Sequence, residues 1–496
     1  MKYLLILTYL FSFSETSFAS FVYNNECKTA YSEIINLQFS KAGQRLKAEH
    51  TNNPSNQIPY LLENYIDFLT VIIGEEENDF KRLKVNLEPR LQQIASDDKK
   101  SAWFLYSQAV IYLQSGFARV KFGEYLSAGL DINRAYRLLE ENQRKFPSFS
   151  PNKAGLGMLH AVIGTIPAKY RWVARTFSFD GSIALGSTEL QESYVQIAAD
   201  PQLDFMLPEV AFILSFVMLN ISADMPAALQ LAAKFCNPPF ETVVKESPLL
   251  SYALANIYAK TGSNEKAINL LSSYPHTPDR YPFHYLNYML GVAKLNRLDK
   301  DANLPLLGFV ADFKGKNYIK SAYLHLAWFY MINHQPVQYE TYMQRIALRG
   351  SNQVDNDREA LKVAEKGVKP DLSLLKARLL FDGGYYDLAL AELSGFTASD
   401  KKSELEHTYR LGRIYDKSGK TAQAIRYYEK TIQVGGQLPY YYAANSALQL
   451  GLIYEHSKNT TLAKSCYEKV LDMDFDEYRL SITNKAEAGL RRLKGK

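Results

Sequence analysis

The chain has few cysteines, and they lie far apart. Three cysteines stand at positions 27, 236 and 466 among 496 residues. Their number and spacing exclude a disulfide framework and a cysteine-based zinc site, because either would need a closer cluster of thiols. At most one bridge could form. Cys466 is predicted to be a small, buried apolar residue on a helix.

The chain also lacks a strong excess of charge of one sign. It carries 57 basic and 52 acidic residues, with a formal net charge of +5, and this balance gives no electrostatic basis for binding nucleic acid. The eight histidines form no H-E-x-x-H pair. The acidic run Asp472–Glu477 lacks the glycine and the distal glutamate of a calcium loop. We therefore expect no nucleic acid, no metal and no cofactor.

Complete catalytic motifs are missing as well. Residues 181–188 have the glycine spacing of a phosphate-binding loop, but Ser187 stands where that loop needs a lysine, so close helix packing by the glycines is the preferred interpretation. Ser373 and Lys376 match S-x-x-K without its S-D-N and K-T-G partners, and there is no G-x-S-x-G elbow. His160 is expected to be a core histidine with satisfied hydrogen bonds. The chain is predicted not to be an enzyme.

The one long apolar stretch lies at the N-terminus. Lys2 precedes the apolar run 3–11, and the small residues around Ala19 permit cleavage after that position. The run is too short to span a membrane, and no later segment reaches the roughly 20 apolar residues that a spanning helix needs. Residues 1–19 are therefore interpreted as a signal peptide, with an N-terminal core helix as the alternative. This predicts an exported protein, periplasmic or alternatively secreted.

Two stretches near the C-terminus repeat one another. The first has Leu411, Gly412 and Tyr415, followed by Ala424 and Tyr428. The second has the same residue types in the same order at Leu450, Gly451, Tyr454, Ala463 and Tyr467. Leucine and tyrosine four residues apart lie on one helical face, and the glycine between them allows a second helix to approach closely. Each stretch therefore predicts a helical hairpin.

This spacing resembles the tetratricopeptide repeat, a helix-turn-helix unit of about 34 residues. Gly419 lies in the polar turn that would end the first helix of one unit. Weaker copies begin at Leu254, Leu326 and Lys376. The resemblance implies an all-α fold, a tetratricopeptide-type solenoid of helical hairpins with a right-handed superhelix, possibly in two halves.

The remaining chain is predicted to be helical too, since period-two strand patterns are absent. Two long helices are expected over 103–122 and 126–146. The predicted organisation comprises a signal peptide (1–19), a divergent helical-repeat region (20–240), middle repeats (241–350), a polar hinge (351–370) and C-terminal repeats with a capping helix (371–496).

Residues 129–190 are the least repeat-like part of the chain. They contain, in this order, Gly129-Leu130, the glycine-rich apolar run 155–159, Ile166-Pro167 and the corner 177–181. This order resembles the inclusion body clearance family of tetratricopeptide proteins. The resemblance implies a non-enzymatic helical protein, associated in that family with clearing protein aggregates and with lipid stores.

The repeat geometry predicts a binding surface. In tetratricopeptide arrays the first helix of each pair lines the concave groove. The residues expected there are Tyr409, Arg413, Asp416, Asn445, Leu448 and Glu455. The family's carboxylate clamp uses Lys and Asn at the first two positions, where this chain has Tyr409 and Arg413, so clamp specificity is not expected. A mixed aromatic and charged groove suits an extended or helical peptide.

A second candidate surface interleaves cations with aromatic residues. Its members are Lys169, Arg171, Trp172 and Arg175. Such a segment could lie at a membrane interface, or it could be an ordinary helix with its apolar side buried. We expect a monomeric, exported, non-catalytic scaffold that binds a protein or peptide. The alternative is a peripheral membrane or lipid-contacting protein that uses residues 155–190.

Overall fold

All regular structure in the described part of the chain is helical. The computed structural model describes residues 20–95, 99–166, 179–237, 240–274 and 277–494, and no strand occurs among them. The predicted all-α fold of helical hairpins is confirmed. The predicted signal peptide, residues 1–19, lies outside the described residues.

The chain divides into two compact units. The first comprises residues 1–253 with 275–282, and the second comprises residues 254–274 with 283–496. The polar segment 351–370, expected to be a hinge, lies within the second unit and contains a helix at Asp355–Lys366. The compact units therefore divide at a different place from the expected hinge.

Eleven helices of the described residues belong to the first unit. They are α1 (Asn25–Ile35), α2 (Phe39–Asn52), α3 (Ile58–Gly74), α4 (Glu77–Ala95), α5 (Ala102–Lys121), α6 (Tyr125–Lys145), α7 (Pro151–Gly164), α8 (Ile183–Ala199), α9 (Leu207–Asn220), α10 (Met225–Phe235) and α11 (Phe240–Glu246). Successive pairs from α1 to α10 pack as hairpins. The long helices expected over 103–122 and 126–146 are confirmed as α5 and α6.

The helix α12 (Pro248–Lys260) crosses the boundary between the units, and the later helices belong to the second unit. They are α13 (Asn264–Ser272), α14 (Tyr285–Asn296), α15 (Asn303–Asp312), α16 (Ile319–Ile332), α17 (Pro336–Leu348), α18 (Asp355–Lys366), α19 (Leu372–Asp382), α20 (Tyr386–Leu393), α21 (Lys401–Lys417), α22 (Thr421–Gly435), α23 (Tyr441–His456), α24 (Thr460–Asp472) and α25 (Arg479–Lys494). None of the helices in the described ranges is long and apolar enough to span a membrane.

In the first unit, glycines bring α7 and α8 into close contact. A Cβ atom added at Gly186 would lie 2.3 Å from the carbonyl oxygen of Gly157, so neither position has room for a side chain. This confirms helix packing as the role of the glycines in 181–188. His160 is buried, and its Nδ1 lies 2.5 Å from Oε2 of Glu189, which confirms it as a core histidine with a partner.

In the second unit, glycines let the repeat helices touch through tyrosine rings. A Cβ at Gly412 would lie 2.7 Å from the ring of Tyr428, and one at Gly451 would lie 2.4 Å from the ring of Tyr467. Gly489 on α25 approaches the same Tyr467 ring from a second helix. The predicted capping helix is therefore a helix, and it packs on the last hairpin. Cys466 is only partly buried, so its predicted burial was overstated.

The glycine contact can be tested by one substitution. Gly451→Ala should lower the free energy of unfolding by about 1–3 kcal/mol, because the added methyl group would overlap the fully buried Tyr467 ring. Gly129→Ala is the matched control, since Gly129 is also helical but has no atom within 4 Å of the added Cβ. The control should be neutral or slightly stabilising. Equal urea-unfolding midpoints for both variants would contradict the packing argument.

Candidate functional site: an arginine recess

Four helices of the second unit place charged and aromatic side chains on one surface. α16, α19, α21 and α23 are the first helices of consecutive or nearby hairpins, and α16 contacts α19, α19 contacts α21, and α21 contacts α23. We name the resulting surface the arginine recess. It is formed by Trp328, Arg378, Asp382, Glu406, Arg410, Arg413 and Tyr441.

Helical spacing explains why these residues meet. Arg378 and Asp382 lie four residues apart on α19, and Glu406 and Arg410 lie four apart on α21. Arg413 follows Arg410 by three residues and extends the same face of α21. Residues three or four apart are neighbours on a helix surface. Two adjacent first helices therefore present their charged faces to one place.

One of the three arginines is paired with a carboxylate on its own helix. Nε of Arg410 donates to Oε1 of Glu406 at 2.8 Å, and a second guanidinium nitrogen bonds the same carboxylate. The hydroxyl group of Tyr442 donates to the other oxygen of Glu406 at 2.8 Å. These bonds hold the pKa of Glu406 below its usual value despite burial. This ion pair is a fixed part of the recess wall.

The other two arginines are held mainly by aromatic rings. The guanidinium carbon of Arg378 lies 5.0 Å from the ring centre of Trp328, and that of Arg413 lies 5.1 Å from the ring of Phe381. Such cation–π contacts position a guanidinium group without using its N–H donors. Nε of Arg378 lies 3.9 Å from a carboxylate oxygen of Asp382, which is too far for a hydrogen bond.

Arg413 has an N–H group without a partner. One terminal nitrogen donates to the hydroxyl oxygen of Tyr409 at 2.9 Å, and Nδ2 of Asn445 donates to the same oxygen at 2.9 Å. Nε of Arg413 is buried and has no hydrogen-bond partner in the described structure. A buried N–H without an acceptor is unfavourable. Because Nε is shielded from solvent, a ligand would reach Arg413 at its other terminal nitrogen, Nη2, which makes no hydrogen bond among the described residues.

Asp382 lies beside Arg378 at a half-exposed position. Burial raises the pKa of the Asp382 carboxyl group, although Arg378, Arg410 and Arg413 all act to lower it. Half of the Asp382 side chain, 50%, is nevertheless exposed to solvent.

Two residues that were predicted to be exposed in the groove are buried. Tyr409 is 4% exposed and Leu448 is 2% exposed, so the prediction that they line an open groove is wrong. Tyr409 does share a helical face with Arg413, but the rings of Tyr441 and Tyr442 cover it. Leu448 belongs to the core that α24 and α25 close.

Asp416 and Glu455 act within their own hairpins. The hydroxyl of Tyr428 donates to Asp416 at 3.1 Å, and the hydroxyl of Tyr467 donates to Glu455 at 2.6 Å. Arg492 of α25 also bonds both oxygens of Glu455, at 2.8 and 2.7 Å. Of the predicted groove residues, Arg413 belongs to the recess, and Asn445 is linked to it through the hydroxyl group of Tyr409.

The second predicted surface cannot be placed. Lys169, Arg171, Trp172 and Arg175 lie outside the described residues, so their membrane role stays a prediction. Within the described residues, no group of three or more His, Cys, Asp or Glu side chains could hold a metal ion.

Sequence reasoning missed most of the recess, although one signal was present. The third residue of the repeat pattern, counted with the leading residue as the first, is Arg413 in one unit, Arg378 in the unit before it and Trp328 in a weaker copy further upstream. These three residues all reach the recess. Asp382, Glu406 and Tyr441 share no position of the repeat pattern. They meet at the recess only because their hairpins are neighbours in the fold.

The hairpins and their repeated leucine, glycine and tyrosine positions define a helical-repeat protein. The tetratricopeptide repeat family models match residues 408–437 and 444–477. The last two hairpins, α21–α22 and α23–α24, are therefore tetratricopeptide repeats. The recess is formed partly by these two repeats and partly by the hairpins before them.

Solved structures show only a distant likeness. A human IFIT1 dimer with PPP-AAAA is 14% identical over 95% of each chain, with a TM-score of 0.33. The P58(IPK) TPR domain is 14% identical over 84% of this chain and 98% of its own, with a TM-score of 0.20. Cut9 bound to Hcn1 is 12% identical over 94% and 95%, with a TM-score of 0.27. TM-scores this low carry no argument about function.

No curated protein sequence matches the chain. The resemblance of residues 129–190 to the inclusion body clearance family stays a prediction.

The bonds to the Tyr409 hydroxyl can be tested by removing it. Tyr409→Phe should lower the free energy of unfolding by about 1–2 kcal/mol, because Arg413 and Asn445 both lose their acceptor in a buried place. Tyr440→Phe is the matched control, since Tyr440 makes ring contacts that phenylalanine retains. Urea unfolding measures both. If Tyr409→Phe is as stable as the control, these hydrogen bonds do not contribute to the free energy of unfolding.

Proposed function

We propose that this protein is an exported, non-catalytic helical-repeat scaffold, and that its arginine recess binds an extended segment of a protein partner through a carboxylate group of that segment. The observation that carries the proposal is that the guanidinium groups of Arg378 and Arg413 have few hydrogen-bond partners. Both guanidinium groups lie against aromatic rings, and apart from the bond from Arg413 to Tyr409 neither donates a hydrogen bond among the described residues. A planar guanidinium group with free N–H edges is suited to a carboxylate.

The charge of the recess supports an anionic partner. Glu406 is bonded to Arg410 and Tyr442, so these charges are already matched. Arg378 and Arg413 then face the single carboxylate of Asp382. The recess keeps a surplus of one positive charge, which favours an anionic ligand over a neutral or basic one.

The aromatic residues around the recess support a peptide rather than a small anion. Trp328 lies at one end, and Tyr441 packs against Tyr478 at the other, with ring centres 4.9 Å apart. Tyr478 is partly exposed. Tyrosine, tryptophan and arginine are the residues most enriched where proteins bind proteins. An extended segment could contact both ends through apolar side chains and place a carboxylate between them.

The composition of the recess supports a binding role rather than catalysis. Its seven residues include no cysteine, serine or histidine, the groups most often used as nucleophile or general base. The tetratricopeptide repeats that form part of it support the same conclusion. We therefore assign the recess to partner recognition.

The recess can be tested with a random peptide display library against the full protein. Enriched peptides should carry Asp or Glu beside an aromatic residue. Arg378→Gln and Arg413→Gln should each weaken binding about tenfold or more in fluorescence anisotropy, since each removes a guanidinium partner. Arg426→Gln, on the exposed face of α22, is the control and should bind as the unchanged protein does. Enrichment of neutral or basic peptides would overturn the proposal.

Export is supported by the pattern of the first 19 residues. The mature protein recovered from cells that express the full chain should begin at Ser20, as measured by intact-mass spectrometry, because the small residues before it fit signal cleavage. Leu5→Arg places a charge in the apolar run and should leave the precursor uncleaved. Lys47→Glu lies outside that run and is the control, so its precursor should still be cleaved. A chain that keeps residues 1–19 in the unchanged protein would contradict export by this signal.

A further inference from the structure

Asp382 stands in an unfavourable place for an acidic residue. It is the last residue of α19, and a negative charge near the C-terminus of a helix is disfavoured by the helix dipole. Surrounding protein desolvates its carboxylate, which raises its pKa. Within the described chain it accepts no hydrogen bond, and its nearest cation, Arg378, is 3.9 Å away. The local fold therefore gains little from this side chain.

The surroundings of Asp382 are those of a bound anion. Arg378, Arg410 and Arg413 all act on its carboxylate, and two of these arginines have donors to spare. Half of the Asp382 side chain, 50%, is in contact with solvent. A carboxylate from a peptide that pairs with Arg378 would enter the space beside Asp382, whose carboxylate lies 3.9 Å from that arginine.

We infer that Asp382 is an internal competitor for the partner's carboxylate and so determines specificity at the arginine recess. The inference rests on the proposed function of that recess. An incoming carboxylate must displace Asp382 from Arg378 or bind beside it against like-charge repulsion. Only a ligand that forms well-aligned bonds with the arginines overcomes this opposition, so weakly held anions are excluded.

The inference predicts that removing the charge of Asp382 strengthens binding of acidic peptides. Asp382→Asn keeps the shape of the side chain, frees Arg378 and removes the repulsion. A like-charge pair at a partly exposed site opposes binding moderately, so affinity should rise several-fold, up to about tenfold. Asp382→Ser is a second variant without the charge. Neither change should lower the free energy of unfolding, because the carboxylate contributes little to it.

The experiment uses the full chain and three synthetic probes of one length, each labelled with a fluorophore. The first alternates tyrosine and glutamate and has an amidated C-terminus. The second replaces each glutamate with glutamine and has a free C-terminal carboxylate. The third has glutamine and an amidated C-terminus, and so carries no carboxylate. Anisotropy titrations then distinguish side-chain carboxylates from a terminal one as the group that binds.

Asp387→Asn is the matched control, since Asp387 is an exposed acid at the start of α20. The expected result is that Asp382→Asn and Asp382→Ser tighten binding of a carboxylate probe and leave the neutral probe unchanged. The control should change neither. Adding Arg378→Gln to Asp382→Asn should abolish the gain, because the freed arginine is its source.

Two other results would overturn the inference in different ways. If Arg378→Gln weakens carboxylate binding but Asp382→Asn does not strengthen it, Asp382 merely positions Arg378, and the proposed function stands. The same conclusion follows if Asp382→Asn strengthens binding of the neutral probe as much as binding of the carboxylate probes. If no probe depends on Arg378 or Arg413 in any variant, the proposed function fails and the inference fails with it.

Discussion

The contact between a glycine and a tyrosine ring sets the spacing of the helices on which the rest of the second unit depends. Tyr428 lies against Gly412, and Tyr467 lies between Gly451 and Gly489. Because glycine has no Cβ, the ring fills the space between two helices that a larger residue would hold apart. The first unit uses the same principle at Gly157 and Gly186. The hairpins that this contact holds together then bring their first helices side by side, as the ring of Tyr409 against those of Tyr441 and Tyr442 shows.

Much of the fold could be predicted from the sequence because its signals are local and periodic. The repeated leucine, glycine and tyrosine positions place both helices of each hairpin. Gly419, with a φ of +74°, stands in the turn after the first helix, as the sequence indicates. The long helices α5 and α6 follow from the absence of proline over their length. Glycine spacing in 181–188 correctly indicates packing, since the lysine needed for phosphate is missing.

The recess could be predicted only in part, since it depends on which hairpins are neighbours. Tyr409 and Arg413 lie four residues apart, so helical spacing puts both on one face. Burial then differs because the next hairpin brings the ring of Tyr442 to 5.2 Å from that of Tyr409. Spacing within one helix contains no information about that cover. For the same reason, Asp382 on one hairpin could not be related to Arg413 on the next.

The tyrosine-to-carboxylate bond inside each of the last two hairpins has a consequence for how such chains change in evolution. In both, the donor and the acceptor lie twelve residues apart within one hairpin. A duplicated or deleted hairpin would therefore take this bond and its glycine contact along as a unit. The chain could lengthen or shorten without new partners being found for these buried hydroxyl groups. The recess has no such freedom, because its charges come from different hairpins in a fixed order.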